Sequence, residues 1–414
     1  ERALLARIHR ATLTTLRREI APVTAQQFMR FLFAWHGLGA GRSEGDAALA
    51  AVLDRLEGFT LPASAWEADV LPARLQGYTS DMLDRLCGTG RILWARLASP
   101  TRSASDDGTL PRTSVLRNTP VVLISRATAP VWLGLNPPPD PARVLPSSTA
   151  QQILQLLQNR GALFFLDLVQ QSGLLRTQVE DALAELAANG LVTSDSFAGL
   201  RALIAPTHRR PGYRPRRRGG FDSVDDAGRW SLVPVVETPA QATDARSSWL
   251  TTPLPVLEHV VQVLLRRYGV VFRRLLERES LPPWRELLYV LRRLEARGEV
   301  RGGRFVGGFS GEQFALPDAV GLLRRQRDSQ GGGLHAISAA DPLNLVGILL
   351  PGKRIPANAA GRVVFRDGLP IALQTGADIE FLASVDNELA WQVRGLFARR
   401  RNPSGWLPAP PQPV

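Results

Sequence analysis

Cysteine is almost missing from this chain: Cys87 is the single one in 414 residues. One thiol makes neither an intrachain disulfide nor a thiolate zinc cluster, and Cys87, on the apolar side of a helix end, reads as a small core residue. No apolar run reaches the roughly 18 residues of a membrane span, and no basic-then-apolar signal segment opens the sequence. The expected address is therefore the cytosol, in association with the nucleoid, with no membrane partner. The histidines His9, His36, His208, His259 and His335 are scattered, without His-Glu-x-x-His spacing, so no metal site is expected. Lysine also occurs once, at Lys353 in Pro351–Gly352–Lys353–Arg354. That setting is not a phosphate-cradling Gly-x-x-x-x-Gly-Lys-Ser/Thr loop, so neither ATP hydrolysis nor a resident cofactor is expected. The first residue is Glu1 rather than Met, which suggests a piece of something longer.

What the chain does have is arginine. Basic residues number 50 against 38 acidic ones, a net charge of +12. Arginine's planar fork suits phosphate oxygens and stacks on bases, and the sign of the charge attracts polyanions. A GC-rich genome accounts for the choice of arginine over lysine equally well. Nucleic acid is preferred over acidic membranes, because no basic amphipathic helix stands free of the globular pattern.

One pattern occurs three times: an amphipathic helix, a glycine, then a short apolar strand. The copies are Thr79–Leu86 into Gly90–Leu93, Val179–Leu186 into Gly190–Val192, and Leu287–Leu294 into Gly298–Val300. A winged helix passes in this way from its recognition helix into its wing. The expected organisation is a helical segment with the first winged helix and a strand pair over 1–135, and a second winged helix over 149–205. An Arg/Pro-rich linker follows over 206–252, then a third winged helix over 253–328. A strand-rich module with a terminal helix occupies 334–402, and a disordered tail 403–414. Within this plan Thr24 and Gln27 stand in capping-box spacing. Val121–Ile124 and Val131–Leu133 look like paired strands. Strands Leu191–Thr193 and Leu200–Ile204 enclose a Ser194–Gly199 wing. Ile337–Leu350, Arg362–Phe365 and Leu369–Gln374 read as strands, with Asp367–Gly368 a hairpin turn.

The outward faces separate the three copies. In the third, Leu287, Leu288, Leu291 and Leu294 form the apolar stripe, while Arg285, Tyr289, Arg292 and Arg293 lie opposite and Arg301 and Arg304 follow in the wing. Arginines with an aromatic on one face grip phosphates while a ring stacks, so this copy is the expected DNA contact. The second copy shows Glu180, Asp181 and Glu185, and like charge against phosphate costs affinity. The first, with Asp81, Asp84 and Arg85, is nearly neutral. A second basic element, His208–Gly220 with Arg216, Arg217 and Arg218, reads either as a solvated linker or as an arm that orders along a strand. In Ser338–Asn344, Asp341 before Pro342 reads either as a turn cap or as a catalytic carboxylate acting on a nucleotide.

The segments Ala6–Leu13, Pro22–Leu32, Phe309–Pro317 and Ile337–Leu345 closely resemble the C-terminal region of the bacterial large helicase-related (Lhr) proteins. The resemblance runs through almost the whole chain. It implies an α+β fold, tandem winged-helix domains followed by a small antiparallel β-barrel-like module. It further implies that a motor using ATP and Mg precedes this region in the parent, a 3′-to-5′ DNA helicase associated with DNA repair. The implied partners are DNA, single-stranded or as a tailed duplex, that motor, and further copies of the chain. The arrangement is also similar to the AlkZ-type winged-helix DNA glycosylases, whose Gln-x-Gln or Gln-x-Asp motif corresponds by position to Glu57–Gly58–Phe59. This sequence departs from it at both polar positions, leaving Glu57 as a candidate carboxylate. Three functions follow: a DNA-binding accessory region that organises assembly, a glycosylase for uracil or alkylated bases, and a structural oligomerisation platform.

Overall fold

In a computed structural model of the protein, residues 21–39, 42–97, 116–136, 146–204, 224–234, 249–328 and 333–399 are described. The expected helix within 1–20, the loop Ser99–Arg112, most of the proline linker, the arm with Arg216, Arg217 and Arg218, and the tail lie outside them.

Three sheets repeat one topology. Each has three antiparallel strands in which the last strand in sequence lies between the other two. In the first unit, α1 (Ala25–Trp35) and α2 (Asp46–Leu56) precede β1 (Leu61–Pro62). Thr24 and Gln27 close a capping box at the start of α1, as their spacing predicts. A helical segment then runs through Ala63–Ala65, a π turn at Trp66–Val70 and Leu71–Arg74. It is followed by α3 (Ser80–Gly88), β2 (Ile92–Ala95), β3 (Pro120–Ser125) and α4 (Ala129–Leu135). Strand β3 pairs with β1 and β2, with Leu61 opposite Val121 and Leu93 opposite Ile124. The expected strand at Val131–Leu133 is instead part of α4. Pro130 sits in the first turn, where its missing N–H costs nothing, and both edges of β3 are already occupied.

The second unit comprises α5 (Ser148–Arg160), β4 (Leu163–Phe164), α6 (Phe165–Ser172), α7 (Arg176–Ala188), β5 (Val192–Ser194), α8 (Phe197–Ile204) and β6 (Arg229–Leu232). The expected return strand at Leu200–Ile204 is helical here too. The partner of β5 is β6, with Val192 opposite Leu232 and Ser194 opposite Trp230. Gly199 explains the packing: a Cβ there would stand 2.6 Å from the Ala227 Cβ and 2.8 Å from the Trp230 ring, so α8 lies directly on that strand. A short apolar run does not by itself separate strand from helix.

The third unit holds α9 (Leu254–Tyr268), β7 (Val270–Val271), α10 (Trp284–Ala296), β8 (Arg301–Gly303), β9 (Gln313–Ala315) and α11 (Pro317–Asp328). Gln313 is fully buried and ties the wing turn: its Oε1 accepts from the backbone N–H groups of Phe305 and Val306, and its Nε2 donates to the Val306 carbonyl. The last module is a four-stranded antiparallel sheet of β10 (Leu334–Ser338), β11 (Gly361–Arg366), β12 (Leu369–Thr375) and β13 (Asp378–Phe381), covered by α12 (Asn387–Arg399). Asp367 and Gly368 both take positive φ, the turn that matches the twist of two antiparallel strands. The expected barrel does not close. Strand β10 ends at Ser338, the chain turns back on itself through 339–350, and β10 and β13 remain the two edges of an open sheet.

One apolar core joins α1, the third unit and the inner face of the last sheet, and another joins the first and second units. Buried ion pairs add specific links, three of them from the π-turn segment. Glu67 accepts from Arg201 of α8, Asp69 from Arg362 of β11, and Arg74 meets Asp341 after β10. A π turn rotates successive side chains away from helical register, which lets neighbouring acids face different units. Among the described residues no helix is long and apolar enough to cross a membrane.

Candidate nucleic-acid interface

Helix α10 forms because Leu287, Val290, Leu291 and Leu294 make one buried stripe. No side chain caps its start at Pro283, but burial contributes about 1.5–3 kcal/mol per large apolar side chain, whereas a cap contributes about 1 kcal/mol. The opposite face carries the expected contact residues. Arg285 and Arg292 are exposed, Tyr289 and Arg293 are half-buried, and Arg301 and Arg304 are exposed on the wing.

Trp249, which the sequence pattern does not single out, joins this face. The Arg285 guanidinium stands 5.8 Å from the Trp249 ring centre, Trp249 meets Tyr289 edge to face at 5.6 Å, and the Arg293 guanidinium stands 5.7 Å from Tyr289. The result is a continuous Arg–Trp–Tyr–Arg ladder, and Trp249 is 42% exposed. Its position is set from below by Glu286, which is fully buried on α10. Glu286 Oε1 accepts from the Thr251 N–H at 2.9 Å and its hydroxyl at 2.6 Å, and Oε2 accepts from the Thr252 N–H at 3.2 Å. Burial pushes this carboxyl up, but those hydrogen bonds outweigh it and hold the carboxyl below its ordinary value. A tryptophan inside an otherwise polar, Arg/Pro-rich stretch is the signal that could have found Trp249.

The arginines of this face are not equally available. Arg292 is bound to Glu312 at 2.6 Å, and Arg293 lies 3.8 Å from Glu258. Among the described residues Arg285, Arg301 and Arg304 meet no carboxylate. The recognition helices of the other two units face protein. Asp84 of α3 binds Arg201 of the second unit. On α7, Glu180 is buried and Glu185 accepts from both the backbone N–H and the hydroxyl of Ser147 at 2.7 Å. Those two acids are thus structural rather than an outward negative face.

The two candidate carboxylates lie elsewhere and apart. Asp341 is fully buried, with Oδ2 2.7 Å from Arg74 NH1 and Oδ1 2.9 Å from Arg74 NH2; Oδ1 also accepts from the Leu343 N–H. It therefore caps a turn and neutralises an arginine at once. Glu57, 4% exposed, follows α2. Its Oε1 accepts from Thr128, from the Trp132 indole at 3.1 Å and from His259 Nε2 at 3.3 Å, while Arg266 stands 3.6 Å from Oε2. Burial pushes the Glu57 carboxyl up, and the bonds from His259, Thr128 and Trp132 outweigh that and hold it below its ordinary value. Gly58, at φ +73°, has the Trp132 ring where a Cβ would stand, 2.4 Å away.

Two family models, each describing a winged-helix domain of the large helicase-related protein, match residues 23–110 and 251–334. These two winged helices belong to the large helicase-related family. The chain as a whole is 30% identical, over 96% of its length, to the Lhr helicase/probable uracil glycosylase of Mycolicibacterium smegmatis (strain ATCC 700084 / mc(2)155). It is 28% identical over 94% of its length to the Lhr helicase/uracil glycosylase of Escherichia coli (strain K12). It spans about a quarter of each Lhr relative, 26% in both cases. The family match thus includes the third unit, whose α10 carries the ladder.

Proposed function

We propose that this chain is a non-motor region of an Lhr-type DNA helicase acting in DNA repair, and that it binds single-stranded DNA or the tail of a duplex through the exposed face of α10. The observation that carries this reading is the Arg285–Trp249–Tyr289–Arg293 ladder. Rings on such a face stack on bases of any sequence, at about 1–3 kcal/mol per base. Guanidinium groups beside them, continued by Arg301 and Arg304, hold the phosphates. Trp249→Ala and Tyr289→Ala should each weaken binding of a fluorescent tailed duplex about fivefold or more in an anisotropy titration. Unchanged affinity in both would overturn the surface.

A second reading, excision of a damaged base, is supported by the names of both relatives, which include a uracil glycosylase. Under it Glu57 is the better candidate, because both oxygens of Asp341 are committed to Arg74. An ionised carboxylate beside a histidine can stabilise an oxocarbenium-like centre or orient water. Incubation with uracil-containing DNA followed by hot alkali tests it: strand scission that survives in Glu57→Gln excludes this assignment.

A further inference from the structure

Away from α10, a cleft of 350 Å³ opens between the first unit, the third unit and the loop after residue 350, within the size range of small-ligand sites. Its walls are of two kinds. Phe59, Ile355, Pro356 and Ala357 are apolar, whereas Arg278 and Arg354 are cationic, and among the described residues no carboxylate lines it. A recess of 60 Å³ shares Phe59, Thr60 and Arg278 with it and adds Asn136 and Ser280. The one acid of that recess, Glu279, is already engaged by Arg267 and Tyr268.

Arg278 differs from four of the inward-facing arginines. Arg74, Arg201, Arg267 and Arg362 each meet a carboxylate. The Arg278 NH1 donates instead to the carbonyl oxygens of Asp341 at 2.9 Å and Asn344 at 2.6 Å, and NH2 faces those of Ala339 and Ala340. Carbonyls satisfy its donors without cancelling its charge. Burial above all, and also the charge of nearby Arg354, push this guanidinium down, against the charges of Tyr268, Asp341 and Glu279; an arriving anion would offset the repulsion between the two arginines. Arg354 is exposed, as are Pro356 and Ala357.

We propose that this cleft binds a nucleotide, with its phosphate on Arg354 and Arg278 and its base against Phe59, Ile355 and Pro356. A bare anion would use only the cationic wall, and a neutral ring only the apolar one; a nucleotide uses both. The nucleotide is either free or one unit of a bound strand.

Titration calorimetry of the 414-residue chain with dTMP, with a dT oligonucleotide and with inorganic phosphate tests the site. The expected result is saturable binding of dTMP or of the oligonucleotide, weakened at least tenfold by Arg354→Glu and by Ala357→Trp, which fills the cleft. Saturable dTMP identifies a free-nucleotide site, and response of the oligonucleotide alone identifies a strand site. Two results overturn the proposal: affinities unchanged in both variants, or inorganic phosphate competing as well as dTMP. Neither substitution touches α10, so oligonucleotide binding lost in Trp249→Ala but kept in Arg354→Glu, with no saturable dTMP binding, sinks this site and leaves the α10 reading standing, whereas oligonucleotide binding lost in Arg354→Glu but kept in Trp249→Ala does the opposite.

Discussion

Arg74 and Asp341 stand 267 positions apart and form a two-pronged ion pair from which water is excluded, at 2.7 and 2.9 Å. The pair fastens the helical segment of the first unit to the turn that follows β10. His36 extends the network. Its Nε2 lies 2.8 Å from the Arg267 carbonyl and its Nδ1 3.2 Å from the Arg74 guanidinium. Only a neutral ring with its proton on Nε2 suits both, donating to the carbonyl and accepting from Arg74.

Removing one partner of such a pair leaves a buried charge without a counter-ion, at about 3–5 kcal/mol. Asp341→Asn should lower the free energy of unfolding by about that amount in a urea titration. A change below about 1 kcal/mol, the size of an exposed pair, would show that this one does not hold the turn. Loss of any activity in this variant therefore has to be read beside its stability.

Burial first, then the charges of Arg74 and Arg55, hold the His36 imidazole well below its ordinary 6.5. The unfolded chain thus takes up a proton at a pH where the folded one does not, and this favours unfolding. The His36 contribution is fully present above about pH 6.5 and is lost as pH falls from there towards the depressed folded value. Melting temperature should drop over that interval, and His36→Gln should flatten the drop. A wild-type slope retained in the variant would assign the effect to another group.

Arg285, Arg301 and Arg304 carry the unmatched charge of the proposed interface. Every phosphate that is no longer neutralised lowers the salt slope of single-strand binding by about 0.7. Changing all three to alanine should therefore reduce it by about 2, measured by anisotropy from low to physiological salt. An unaltered slope would place the phosphates elsewhere.

Glu286 acts through Trp249 rather than on DNA. Glu286→Gln keeps the shape but removes the charge that three donors share, so Thr251 and Thr252 loosen and Trp249 loses its fixed place beside Tyr289. DNA affinity should fall severalfold while the salt slope stays unchanged, a combination that distinguishes positioning from phosphate binding. Because hydrogen bonds depress this carboxyl, its hold on the loop is present above its ordinary 4.5 and is lost as pH falls through the depressed folded value. Trp249 quenching by added oligonucleotide should weaken in acid in the same way.

Much of the architecture is legible in the sequence because it depends on local rules. The capping box at Thr24 and Gln27, the apolar stripe of α10 and the Asp367–Gly368 turn need only neighbours within a few positions. The basic face of α10 is legible for the same reason: helical periodicity alone puts Arg285, Tyr289, Arg292 and Arg293 opposite the stripe. Short apolar segments are not. Val131–Leu133 and Leu200–Ile204 suit either strand or helix, and strands that arrive from outside decide between them, β1 and β2 on β3 and β6 on β5.

The sequence by itself therefore determined the helix–glycine–strand repeat, the winged-helix character of the first and third copies, the cationic character of the chain and the face of the third unit that carries it, since periodicity and charge are properties of the chain. Only the tertiary structure decided which charges are spent. Asp341 is matched by Arg74 and Arg292 by Glu312, Glu185 is held by hydrogen bonds from Ser147, while Arg285 stacks on Trp249 and Arg278 keeps its charge beside an open cleft. Charge is set residue by residue, whereas neutralisation depends on which residue lies within about 4 Å, and only the folded chain settles that.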